Sequence, residues 1–190
     1  MIELRIARDQ AAKNFIKETI ETYHSYVPTT ASVGRRLDWV VFYNDKPVGM
    51  IGIGSSVYPP PKDILTEVKM TKNVYKDNFN SFANNWRFCM REKIRNAGTQ
   101  ILKELRRQAP LYWKQKYNDD LLYLITFVAG GNNGAVYKAD NWKMVGHTAG
   151  LPQHKSSSMK WDSSESLKNK FVKPTGENKK AIFFKRLEQK

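Results

Sequence analysis

The sequence predicts an α/β domain, a mixed central sheet with helices on both of its faces. Short apolar strand-like runs alternate with amphipathic helical stretches in the order β-α-β-β-β-α-β-α-β-β, a pattern that mixes neighbouring strands with helical crossovers. Two of the runs are joined by a tight polar turn and read as a hairpin. With 190 residues, 41% of them hydrophobic, the chain is long and apolar enough for one domain with a sizeable core.

Ile2, Leu4 and Ile6 alternate with polar residues and predict an N-terminal strand over Met1–Ala7. Asp9 is placed to cap the helix that follows, in which Ala12, Phe15, Ile16, Ile20 and Tyr23 share one face. Pro28 and the Thr-Thr-Ala-Ser stretch predict a loop. Leu37–Tyr43 and Val48–Gly54 form the hairpin around Asn44-Asp45-Lys46-Pro47. Pro59-Pro60-Pro61 opens a polar segment to about Asn80, expected as an insertion. Asn85–Met90 reads as a strand despite Arg87. Ala97, Ile101, Leu102 and Leu105 then mark a helix that Pro110 is expected to stop. Leu121–Val128 is a second apolar strand, followed by the loop Ala129-Gly130-Gly131-Asn132-Asn133-Gly134. A short helix over Ala135–Asp140 and a strand over Trp142–Gly146 come next. Gln153–Lys180 is Ser/Lys-rich and expected as a long loop before a closing strand, Ala181–Leu187.

Lys and Arg number 32 against 18 Asp and Glu, a net charge of +14. That excess points to a polyanionic partner, nucleic acid before membrane surface, or else to a generally basic surface. Residues 1–64 carry a net of only +1, with 8 basic and 7 acidic side chains, so the polyanion-facing surface is expected mainly from the later two thirds. The apolar runs are too short to span a bilayer. Met1-Ile2-Glu3-Leu4 lacks the basic and apolar regions of a secretory leader. The single cysteine, Cys89, excludes an intramolecular disulfide and a multi-cysteine zinc cage. A soluble cytoplasmic protein is expected.

Three stretches carry candidate chemistry. In the turn Ile94-Arg95-Asn96-Ala97-Gly98-Thr99, a glycine near a helix start lets backbone N–H groups approach a phosphate, and Arg91, Lys93 and Arg95 surround it. A capped helix with a solvated basic edge accounts for the same residues. Arg87, charged inside an apolar strand, either reaches into a site or lies on the wet face of the sheet. Tyr137, on one helical turn after a loop, can present a phenol to a cleft or simply pack. Tyr23-His24-Ser25-Tyr26 ends the first helix. His24 titrates near neutrality and can serve as a base or metal ligand, or play a structural part. His147 and His154 do not stand at a diagnostic metal spacing from it. Cys89 reads as a small core residue.

The order of elements, Arg95-Asn96-Ala97-Gly98 after one strand, and Asn133, Tyr137-Lys138 and Asn141-Trp142 after the next together resemble the GNAT acyltransferase fold. Arg95-x-x-Gly98 fits the first half of that family's Q/R-x-x-G-x-G/A pyrophosphate loop, with Gln100 where the last small residue is expected. A closer resemblance is to two branches of that superfamily: the phage Mom group, which modifies adenine in DNA to block host restriction, and a family found in Druantia-type anti-phage systems. It rests on His24-Ser25-Tyr26, Gly34-Arg35-Arg36-Leu37, Asn84-Asn85-Trp86-Arg87-Phe88, Arg95-Asn96-Ala97-Gly98, Val136-Tyr137-Lys138-Ala139-Asp140-Asn141-Trp142 and Ile182-Phe183-Phe184, spread over residues 2 to 188.

What the resemblance implies is a GNAT-like transferase acting on a DNA base, with the adenine N6 amine as acceptor and double-stranded DNA as partner. It implies that His24, Tyr26 and Tyr137 are catalytic. Arg87, Arg95, Asn96, Gly98 and Thr99 would hold an acyl-CoA or related donor, and Arg35, Arg36, Arg91, Lys93 and Lys138 would contact DNA. Iron is a further candidate cofactor, with His24 as candidate ligand, and a dimer is compatible with all of this. Two other functions stay open: a non-catalytic DNA-binding defence subunit and a conventional acyl-CoA N-acyltransferase.

Overall fold

In the computed structural model, which describes residues 1–24, 34–129, 132–149 and 179–188, the N-terminal alternation forms the edge of a seven-stranded sheet. The strands are β1 (Ile2–Ile6), β2 (Arg36–Tyr43), β3 (Lys46–Ser55), β4 (Phe82–Met90), β5 (Tyr123–Val128), β6 (Lys143–His147) and β7 (Ala181–Arg186). Their order across the sheet is β1-β2-β3-β4-β5-β7-β6. All neighbours are antiparallel except β4 and β5. A parallel pair needs a long crossover, and α4 (Ala97–Tyr117) supplies it. The expected mixed α/β sheet is the fold observed.

The faces of the sheet are covered as the periodicities require. On one, Ile101, Leu102, Leu105, Ala109 and Trp113 of α4 pack on Trp39, Val41, Ile51 and Ile53. On the other, Ile16 and Ile20 of α1 (Gln10–Tyr23) meet Val40, Met50 and Cys89. Asp9 caps α1 as expected, its carboxylate accepting from the Ala12 N–H at 2.7 Å.

One expectation changes. Pro110 does not stop its helix: α4 continues to Tyr117 with the proline inside it. Proline removes one intrahelical bond and crowds the preceding turn, but the turns beyond it are anchored from outside. The Trp113 indole donates to Asn80 O at 2.9 Å. The Tyr117 hydroxyl donates to Arg36 O at 2.9 Å and accepts from Arg36 N at 2.7 Å. The polar stretch at about 59–80 holds two short helices, α2 (Lys62–Val68) and α3 (Lys72–Asp77). They bury Ile64 and Tyr75 against Phe82, Ile125 and Ile182, and the Tyr75 hydroxyl meets Ser56 Oγ at 2.7 Å. A few apolar side chains at helical spacing outweigh the polar composition. Of the expected loop at 153–180, only residues 179 and 180 fall among those described.

Candidate active-site cleft

Strands β4 and β5 pair over only three rungs, Phe82↔Tyr123, Ala83↔Leu124 and Asn84↔Ile125. Beyond them the strands run on as Asn85–Met90 and Thr126–Val128 without pairing to each other, and a cleft of about 380 Å³ opens there. His24, Arg87, Cys89, Thr126, Val136 and Tyr137 are among the residues that line it.

The divergence is built by Asn85. A bulge in the β3–β4 ladder pairs Gly52 with Arg87 and Ile53 with Asn85, which leaves Trp86 as the extra residue. The Asn85 amide is 4% exposed and fully used. Its Nδ2 donates to Gly52 O at 2.8 Å and to Arg87 O at 3.0 Å. Both are carbonyl acceptors, so the amide orientation is fixed and Oδ1 faces the Tyr137 hydroxyl, which donates to it at 2.7 Å. Across the opening, Thr126 Oγ1 donates to Asn85 O at 3.1 Å. One buried side chain therefore ties the bulge, the strand and α5 (Ala135–Ala139) together.

Tyr137 sits at the floor, its ring stacked on Phe183 at 5.7 Å and edge-on to Trp142 at 5.1 Å. Its hydroxyl proton points at Asn85, so in this arrangement Tyr137 positions the cleft wall. His24 caps the C-terminus of α1 at the cleft's rim. Burial first, and the nearby Arg87 guanidinium second, hold its imidazole below the usual histidine range. It is therefore neutral at pH 7 and able to accept a proton. Replacing Arg87 with glutamine should raise the His24 pKa part of the way back, because burial remains. Titration of the imidazole by NMR checks this, and an unchanged pKa would break the coupling.

Arg87 donates through Nη1 to Trp86 O at 2.7 Å, and its guanidinium lies 4.8 Å from the centre of the Trp86 ring. Arg36 approaches the same ring at 4.1 Å and pairs with Asp38 at 2.5 Å, while the indole donates to Asp38 Oδ1 at 3.1 Å. A Cβ at Gly52 would stand 2.3 Å from Asp38 Oδ1 and 2.5 Å from the indole nitrogen, so only glycine fits beneath this stack. Cys89 lies in the wall with its thiol pushed up to about 11 by burial, which leaves it protonated and unreactive at neutral pH.

A second recess, of about 330 Å³, lies at the start of α4; Arg91, Lys93, Ile94, Ala97 and Gly98 are among its lining, with Glu92, which pairs with Lys46 at 3.0 Å. Asn96, in the left-handed conformation (φ 58°), makes no side-chain cap, so first-turn N–H groups of α4 lack a capping acceptor. Thr99 turns its hydroxyl back to Asn96 O at 3.3 Å. Arg95 is exposed beside the turn. Gly98 is needed for packing: a Cβ there would meet Val136 Cγ2 at 2.3 Å.

The remaining expected site residues are spread more widely. Arg35 pairs with Asp119 and lies over the Tyr117 ring at 4.8 Å. Arg91 binds Thr19 Oγ1 at 2.8 Å and Phe15 O at 3.1 Å, and pairs with Glu18 at 3.2 Å, fastening α1 to the end of β4. Lys138 is exposed on α5. Tyr26 and His154 lie outside the described residues. Among the described residues, no group of three His, Cys, Asp or Glu side chains stands together that could hold a metal ion, so the donor set for iron is not assembled there. Sequence reasoning missed Asn85 and Gly52 as parts of the site. An asparagine in an apolar strand and a glycine inside a strand opposite it were the available signals.

No family profile and no curated protein match the sequence. Solved structures do resemble the fold. An aminoglycoside acetyltransferase in complex with coenzyme A superposes with a TM-score of 0.55 at 8% identity, over 98% of this chain and 95% of that one. The ribosomal alpha-N-protein acetyltransferase RimL, with coenzyme A, gives 0.56 at 9% identity over 98% and 94%. Spermidine N-acetyltransferase from Vibrio cholerae, with coenzyme A and spermine, gives 0.53 at 12% identity over 98% and 95%. The chain has the fold of these GNAT acetyltransferases. No helix among the described residues is long and apolar enough to cross a membrane.

Proposed function

We propose that this protein is a GNAT-fold transferase that modifies a base in double-stranded DNA, with the exocyclic amine of adenine as the acceptor. The observation that carries the reading is convergence. His24, the run Asn85-Trp86-Arg87-Phe88 and the pair Val136-Tyr137 come from three distant stretches that each resemble the Mom group, and all line the one cleft. The net charge of +14 suits a polyanionic substrate.

The residues at the start of α4 fit the anionic part of an acyl-CoA or related donor. The uncapped N–H groups of Gly98 and Thr99 would meet its phosphates, with Lys93 and Arg95 beside them. Such a donor would supply the electrophilic carbon, its carbon–sulfur bond breaking as the carbon–nitrogen bond forms and the coenzyme leaving as the thiolate. The protein's own part is the acceptor side. A base amine buried in a duplex cannot reach this cleft, so the base must leave the stack. Neutral His24 accepts the proton that the amine loses on attack. Arg87 offers a fixed positive charge for the oxygen on which negative charge develops. Asn85 and Tyr137 keep the strands apart so that both groups face one space. Iron enters no step of this reading.

Mass spectrometry of nucleosides from plasmid DNA grown with the protein tests the reading. A modified deoxyadenosine is expected, and an unchanged nucleoside profile from protein that binds DNA would overturn it. Conventional N-acyl transfer to a small amine or a protein is the second reading, favoured by the coenzyme A bound in the structures of similar fold. Calorimetry with acetyl-CoA, together with an unmodified nucleoside profile, would select it.

A further inference from the structure

Away from the cleft, a groove of about 830 Å³ runs between α1 and α4 where β1 ends and β2 begins. Arg8, Lys13, Lys17, Arg36 and Lys116 line it, and the lining holds a single carboxylate, Asp38. Both oxygens of that carboxylate are occupied, one by Arg36 and one by the Trp86 indole. Among the described residues, no carboxylate pairs with Arg8, Lys13, Lys17 or Lys116. Of the other acidic groups in this part of the chain, Glu3 and Asp45 pair with Arg5, Asp9 caps the helix and Glu18 pairs with Arg91, while Glu21 and Asp63 are not among the residues that line the groove. The groove is thus more positive than the net charge of residues 1–64 suggests.

We propose that this groove seats the phosphate backbone of the duplex whose base enters the cleft, an inference that rests on the base-modification reading. Gln10, Lys13, Asn14 and Lys17 stand at helical spacing on one face of α1 and form a polar row along the groove. Ordered cations interspersed with amide groups match phosphate oxygens, which accept from both. A lipid surface fits poorly, because none of the exposed large apolar side chains lies in the groove. The same helix links groove and cleft. Lys17 and Lys13 precede His24 by seven and eleven residues, and a rise of 1.5 Å per residue puts them about 10 and 16 Å from it along the axis. A strand held by α1 therefore has its extruded base within reach of His24.

Fluorescence anisotropy with a labelled DNA duplex across a salt series tests the proposal, using the triple variant Arg8→Gln, Lys13→Gln and Lys17→Gln. Each lost phosphate contact should make the log–log salt slope shallower by about 0.9, so the triple variant should lose about 2.7 from it. Lys143→Gln, on β6 at the far edge of the sheet, should leave the slope unchanged. A triple variant with the wild-type slope overturns the groove and leaves the base-modification reading standing. Wild-type protein that fails to bind duplex DNA at low salt overturns both. Competition by poly-glutamate as strong as by unlabelled duplex at equal charge would replace DNA with any polyanion as the occupant and overturn the assignment. Circular dichroism must show both variants folded. If the triple variant is not, Lys13→Gln alone should still lose about 0.9 of slope, and no loss overturns the groove.

Discussion

His24→Ala should lower the rate of base modification by about 10²- to 10⁴-fold, the usual consequence of removing a general base. The residue sits at the cleft's rim, opposite in sequence to Tyr137, and the variant should bind duplex DNA as the wild type does. The pH dependence gives the sharper signature. Burial and Arg87 lower the imidazole's pKa, so wild-type activity should rise with pH below the usual histidine range and be flat above it. The residual activity of the variant should lack that acidic limb. Stability follows the same sign. The fold favours neutral His24, a contribution fully present above the ordinary histidine pKa and lost as pH falls through the lowered one. Rates by nucleoside mass spectrometry decide the matter. A variant that keeps near-wild-type activity would remove His24 from the chemistry.

Asn85→Asp should be the most damaging isosteric change in the cleft, costing about 3 kcal/mol or more in denaturant unfolding at neutral pH. The two N–H donors to Gly52 O and Arg87 O disappear, and each acceptor left unpaired costs about 1–3 kcal/mol. A carboxylate in their place faces two carbonyl oxygens in a buried site, and burial disfavours its charge. The damage should therefore lessen as pH falls and the new carboxyl protonates. Tyr137→Phe should cost less, about 1–3 kcal/mol, because it strands only Asn85 Oδ1. Its activity should fall as well, since the strand–helix tie loosens, yet the cation groove and DNA affinity should survive. A Tyr137→Phe variant less stable than Asn85→Asp would contradict the account of which side chain holds the cleft open.

Much of the fold was legible because it rests on periodicity. Ile2 and Leu4 of the N-terminal alternation, the α1 face of Ile16 and Ile20, and the α4 stripe of Ile101, Leu102 and Leu105 bury as their spacing demands, with Ile6 partly buried beside them. Pro110 was misjudged, and the packing of the 59–80 stretch was not foreseen, for a common reason. Local propensity says what a segment does unaided, whereas Trp113, Tyr117, Ile64 and Tyr75 act through partners distant in the chain. The site shows the same division. His24, Arg87 and Tyr137 could be singled out as residue types, but the hydrogen bond that turns the Tyr137 proton toward Asn85 joins residues 52 apart in sequence.

By itself the sequence determined the α/β class, the strands and the principal helices, and the basic character, since these follow from hydrophobic spacing and from charge counting. Only the tertiary structure decided where β4 and β5 part, because that depends on a bulge at Trp86 and on one buried amide bonded to β3, to α5 and to its own strand. The location of usable positive charge was decided there too. Net charge along a segment adds every side chain, but a surface field depends on which carboxylates are already paired. Thus the first third, nearly neutral by count, supplies Arg8, Lys13 and Lys17 to one groove, while Arg35 and Arg91, equally basic in sequence, are held by Asp119 and Glu18.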